Sequence, residues 1–177
     1  MPRSGPRLSL FEAALLSCLL GTVLAIFVPT FVRRLRTNKI DEASEMLEEM
    51  SARAAAYYGT TWQSGQSHCL PVAAGPTPLE PTVDAEPVDF HSPETPGHQT
   101  WQALGFQPDR PVRYSYSFIP SVDGCGLLGP EAAGAVSFRA VGDLDGDGVQ
   151  STFERQATIG PEGWEQATIL HVYQRTE

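Results

Sequence analysis

From residue 13 to residue 32 the chain is uncharged and mostly apolar, and a lone acid, Glu12, stands directly ahead of it. Twenty helical residues span about 30 Å, the thickness of a bilayer's hydrocarbon core. The pattern predicts a transmembrane helix over 8–32, behind a short basic leader or tail, 1–7. Beyond Pro29 the apolar positions Ile40, Ala43, Leu47, Met50, Ala54 and Tyr57 recur in steps of three and four, which makes one helical stripe. Asp41, Glu42, Glu45, Glu48 and Glu49 fall on the opposite side and are expected to face water. The segment 33–59 therefore reads as an amphipathic continuation of the same helix, kinked at Pro29 and ended at Gly59.

Residues 71–100 hold seven prolines, which exclude helix and disfavour central strands. The region 60–111 is expected to be a long extended surface loop, with a single helical turn at 100–104 closed by Gly105 and with His91 and His98 solvated. After residue 112 the period changes to two. Tyr114, Tyr116 and Phe118 alternate with polar residues, as do Val136, Phe138 and Ala140, then Phe153, Ala157 and Ile159, then Ala167, Ile169, His171 and Tyr173. Strands with one wet face are implied. The expected fold class is α+β: a long N-terminal helix, transmembrane in its first half, packed on a C-terminal antiparallel sheet of about four strands over 112–177. Neither element can bury its apolar side alone.

Charge sharpens this picture. The formal net charge is −9, yet Arg3 and Arg7 precede the apolar run and Arg33, Arg34, Arg36 and Lys39 follow it. The remainder is acidic and would repel nucleic-acid phosphates; it suits a cation or a basic partner. The apolar run is longer than a secretory signal core, lacks an Ala-x-Ala site and ends in Arg33-Arg34, like a stop-transfer boundary. Of three cysteines, Cys18 lies in the apolar run. Cys69 and Cys125 lie beyond it, 56 positions apart (125 − 69 = 56), and are expected to form a disulfide in an oxidising, exported compartment.

The chemistry that stands out is Asp143-Leu144-Asp145-Gly146-Asp147-Gly148, running on to Glu154. It fits the twelve-residue D-x-D-x-D-G-x5-E calcium pattern. Calcium takes six to eight oxygens, so the candidate ligands are Asp143, Asp145, Asp147, the Val149 carbonyl, Ser151 and Glu154. The flanks read as strands rather than the helices of an EF-hand, and an acidic hairpin turn exposed to water fits the same residues. No G-x-S-x-G, H-E-x-x-H or phosphate-binding loop is present, and no catalytic set or small-molecule substrate is expected.

The segment Leu8-Ser9-Leu10-Phe11-Glu12, the apolar run, Pro29 and the amphipathic continuation to Tyr57-Tyr58 together resemble type IV pilins and type II secretion pseudopilins. Arg7 stands where that family carries a glycine before its cleavage point. The resemblance implies a structural subunit of a filament or secretion machine, assembling through its N-terminal helix with other pilin-like subunits. Glu12 would pair with a neighbouring chain's terminal amine, and Pro29 would bend the helix. It implies a bacterial inner-membrane protein with a cytoplasmic N-terminus and a periplasmic or extracellular domain. The alternative is a non-polymerising, membrane-anchored calcium-binding or adhesion domain at the cell surface.

Overall fold

The computed structural model describes residues 10–62, 65–129 and 133–173, with residues 10, 12, 13, 29–40, 167 and 168 described by backbone alone. In chain order the elements are α1 (Leu10–Gly59), β1 (Ala74–Thr77), α2 (His98–Leu104), β2 (Ser115–Pro120), β3 (Gly134–Gly142), β4 (Ser151–Gly160) and β5 (Gly163–Tyr173). The chain divides into two compact units, Met1–Ile40 and Asp41–Glu177.

In the first unit the helix leaves every described side chain from 14 to 28 exposed. Among the described residues no helix is long and apolar enough to cross a membrane. The expected transmembrane helix is corrected accordingly, and with it the single-pass inner-membrane anchor and the periplasmic or surface placement that rested on it.

The second unit is dominated by sheet. Five antiparallel strands lie in the order β1-β2-β3-β4-β5, a meander in which chain order and spatial order coincide. The expectation of a long N-terminal helix, transmembrane and then amphipathic, on about four strands is corrected: no long apolar helix stands among the described residues, and a short proline-bearing strand, β1, joins the edge beside β2, pairing Ala74 with Phe118 and Thr77 with Tyr116. Inside, Tyr116 lies opposite Ala140 and Phe118 opposite Phe138. Phe153, Ala157 and Ile159 continue the same buried face. The helical segment 41–59 covers that face with Ala43, Met46, Leu47, Met50, Ala54 and Tyr58. Ala43, Leu47, Met50 and Ala54 of the predicted stripe are buried, Met46 joins them, Tyr58 takes the inward place foreseen for Tyr57, and the Ile40 side chain lies outside the described residues. At about 25 cal/mol per Å² of apolar surface, such mutual burial is the main term holding the unit together.

Two assignments made from periodicity change. The Ile169, His171 and Tyr173 side of β5, read as apolar and inward, faces out: Ile169 is 65% and Tyr173 59% exposed. Phe153 pairs with Val172, and the register shifts between Arg155 and Ala157, where Leu170 and Gln166 are their partners. A bulge on β5 absorbs two extra residues there and keeps the parity; Trp164 lies opposite buried Ile159 and Val172 opposite buried Phe153, so that set, with Leu170, turns inward instead. Glu42, placed on the wet face, is buried.

The region 60–111 is not a bare surface loop. Phe90, Trp101 and Phe106 are fully buried and stack edge-on or tilted, with ring centroids 5.5–5.6 Å apart. Phe90 and Phe106 also reach Tyr116, which extends the sheet's core toward β1. Trp101 Nε1 donates to Thr77 Oγ1 at 3.1 Å and Thr100 Oγ1 to the Val72 carbonyl at 3.0 Å, so α2 is tied to β1 and its approach. Gly105 closes α2 in the left-handed conformation, φ 63°, that glycine adopts without strain.

Candidate functional site

The acidic loop joins β3 to β4. Gly142 ends β3 with no side chain because the Tyr114 ring lies against it; a Cβ there would sit 2.5 Å from Tyr114 Cε1. Leu144 is buried and pins the loop to the core. The loop then folds its own amides onto its carboxylates. Gly146 N–H donates to Asp143 Oδ1 at 2.8 Å, Gly148 N–H to Asp143 Oδ2 at 3.0 Å, and Val149 N–H to Asp147 Oδ1 at 2.7 Å. One carboxylate oxygen from each of Asp143, Asp145 and Asp147 lies within 4.8 Å of the others.

The remaining ligands named by the calcium pattern are held elsewhere. Ser151 is buried on β4 and its hydroxyl donates to the Gly142 carbonyl at 3.3 Å. Glu154 points along the outer face of the sheet. Its Oε2 accepts from Arg139 Nη2 at 3.1 Å and its Oε1 from Gln156 Nε2 at 2.8 Å. Burial by itself would raise the Glu154 pKa, but the hydrogen bonds from Gln156 and Arg139 and the Arg139 charge offset it and hold the carboxyl below its ordinary range. The twelve-residue set is thus split: three aspartates together in the turn, and Glu154 committed to a cross-strand ion pair. Strand geometry is the cause, since alternate residues of β4 point to opposite faces, whereas an EF-hand helix would carry its glutamate back to the ion. Val149 sits in the turn with an exposed side chain.

Of the other predicted residues, Cys69 and Cys125 form the expected disulfide, with an S–S distance of 2.05 Å. The side chains of Glu12 and Pro29 lie outside the described residues. Among the described residues His91, His98 and His171 join no metal-type cluster.

Sequence reasoning missed a buried polar contact. Glu42, 4% exposed, accepts from the Arg113 amide at 2.8 Å and from Arg113 Nη1 at 3.1 Å, with the Tyr116 hydroxyl at 3.4 Å. Burial, followed by the Glu42 charge, raises the pKa values of Tyr114 and Tyr116 well above the ordinary phenol range. A signal was available: Glu42 precedes the stripe residue Ala43 and lies four residues before Met46, on the flank of the buried face. The pilin and type II secretion resemblance finds no support in comparison with known proteins: no family model, no curated protein and no solved structure matches this chain.

Proposed function

We propose that the chain is a non-catalytic structural subunit that assembles with copies of itself through its N-terminal helix. One observation carries this reading. Leu15, Leu16, Leu19, Leu20, Val23, Leu24, Ile26, Phe27 and Val28 are all exposed, while the second unit possesses a complete core of its own. Contiguous exposed apolar surface of this kind marks an association site. Full burial of each such side chain contributes about 1.5–3 kcal/mol. The uncharged helix also has no polar side on which to terminate a two-layer packing, so several copies are needed to cover it. In the full-length chain, sedimentation is expected to show a multi-copy species that the double substitution Leu16→Glu and Leu20→Glu dissociates, with the circular dichroism of the sheet unchanged. A wild-type chain that sediments as a monomer throughout would overturn the proposal.

The acidic loop supports a second part of the same reading, a structural calcium ion on Asp143, Asp145 and Asp147. Three carboxylates this close repel one another until a cation neutralises them. Added calcium at about 1 mM, in the affinity range of extracellular calcium modules, is expected to raise the melting temperature by mass action. Asp145→Asn should abolish the increase. An identical melting temperature with calcium and with chelator would remove the ion from the account.

A further inference from the structure

The two edges of the sheet are finished differently. At one, β1 carries Pro76, which has no amide to offer, and Pro78 follows it. Gly97, just ahead of α2, lies so close that a Cβ on it would sit 2.7 Å from the Ala74 Cβ, and the Trp101–Thr77 and Thr100–Val72 bonds tie α2 down beside the strand. That edge is closed. At the other, among the described residues, no element lies beyond β5. β5 contains neither proline nor lysine, the residues that commonly blunt an edge. Ile169 and Tyr173 on it are exposed, and Trp164, Leu170 and Val172 are only half-buried. A row of backbone donors and acceptors left open in this way is matched by one kind of occupant, another extended strand.

The pattern of β5 identifies that strand. Gly163–Gln166 pair regularly with 157–160 of β4, Leu170–Tyr173 pair regularly with 152–155, and 167–169 together face Gln156. The strand is therefore four regular residues, three bulged and four regular, with residue 168 at its centre. A bulge ordinarily turns an edge away from pairing; a bulge at the centre of symmetry does not. A two-fold axis through residue 168 lays the first regular stretch of one copy antiparallel to the second stretch of the other and sets bulge against bulge. The facing side chains are complementary. Glu165 comes opposite His171, carboxylate acceptor against imidazole donor, twice in each pair. Trp164 comes opposite Val172, an aromatic against a β-branched side chain. Gly163 comes opposite Tyr173, whose ring can cover the bare glycine backbone. Moving the axis by one residue either way separates Glu165 from His171 and sets regular strand against bulge.

We propose that β5 pairs antiparallel with β5 of a second copy about a two-fold axis at residue 168, joining the two sheets edge to edge. Because the β1 edge is closed, no third sheet can add and the contact stops at two copies. It lies wholly within the second unit and stands whether or not the N-terminal helices associate.

The test uses the full-length chain bearing Leu16→Glu and Leu20→Glu, which silences association through the helix. Sedimentation equilibrium is expected to show monomer and dimer in exchange. His171→Glu, which sets carboxylate against carboxylate twice, should weaken the dimer about tenfold or more, and adding Glu165→Lys should restore it. Glu165→Lys alone should weaken it by less, and the exposed control Asp123→Lys should change it less than about twofold. Both 165 and 171 are exposed, so the circular dichroism of the sheet should not change. Amide exchange along β5 should slow as concentration rises through dimerisation. A monomer at every concentration would overturn the proposal. So would a His171→Glu loss that Glu165→Lys fails to recover, an equal loss from the control, or β5 exchange indifferent to concentration. Failure of the helix reading shows separately, as assemblies larger than two that survive Leu16→Glu and Leu20→Glu.

Discussion

Glu42 shows how a single residue can be misplaced by a pattern that is otherwise right. Helical periodicity located Ala43, Leu47, Met50 and Ala54 correctly, because the apolar stripe is what hydropathy measures. It assigned every acid to water, because hydropathy contains no term for a partner 71 positions away, and Arg113 is that partner. The carboxylate in turn affects the two tyrosines beside it. In the unfolded chain a tyrosine titrates near pH 10; in the native state burial first, and the Glu42 charge second, keep Tyr114 and Tyr116 protonated beyond that point. Burial also raises the Tyr58 pKa. The native state then binds more protons than the unfolded state above pH 10, so stability must fall as pH rises from there. The contribution is intact below that pH. Alkaline titration should show the phenolate absorbance of these three, out of five tyrosines, appearing only together with loss of the near-ultraviolet circular dichroism. Smooth titration of all five in a still-folded protein would contradict the burial described. The candidate calcium site divides along the same line: the aspartates were legible because a D-x-D-x-D-G run has local meaning, whereas the Glu154–Arg139 pairing depends on strand register.

Among the elements, the strands were more legible in number and position than in orientation. Alternation found β2, β3 and β4 with their inward faces, since Tyr116, Phe118, Phe138 and Phe153 leave little choice. It inverted β5, where Ile169 and Tyr173 look as apolar as Leu170 and Val172, and only the register with β4, which sets Trp164 opposite Ile159 and Val172 opposite Phe153, decides which set turns inward. The proline-rich region was misjudged for a related reason. Seven prolines keep helix out of 71–97, but they do not forbid a packed core, and Phe90, Trp101 and Phe106 make one. The Cys69–Cys125 bridge spans these changes of structure. The Leu70–Gly124 pairing beside it, in which each amide donates to the other's carbonyl at 2.8 and 2.9 Å, shows that the backbone already brings the two cysteines together. A crosslink closing 56 residues contributes about 4 kcal/mol on the chain-entropy model. Replacing both cysteines with alanine should lower the free energy of urea unfolding by roughly that amount. A change below about 1 kcal/mol would mean that the unfolded chain is already held compact without the bridge.

At the scale of the whole molecule, the division of labour between the two units was legible in outline and its setting was not. An apolar, basic leading segment and an acidic, self-sufficient domain were both evident from charge and hydropathy. The membrane, inferred from the length of the uncharged run, is not supported by the described helix. What the fold adds is an order of events. Because β2 to β5 each lie beside their chain neighbour, that part of the sheet can grow by local pairings, whereas β1 reaches β2 only across 78–114, which include α2. Arg139 and Glu154 meet across only 15 positions, whereas Glu42 and Arg113 wait on 71. Local closures cost less chain entropy and come sooner. A polypeptide emerging from the ribosome would thus hold its acidic helix unplaced until the last strands exist to receive it, and the greasy first forty residues would await a domain completed behind them.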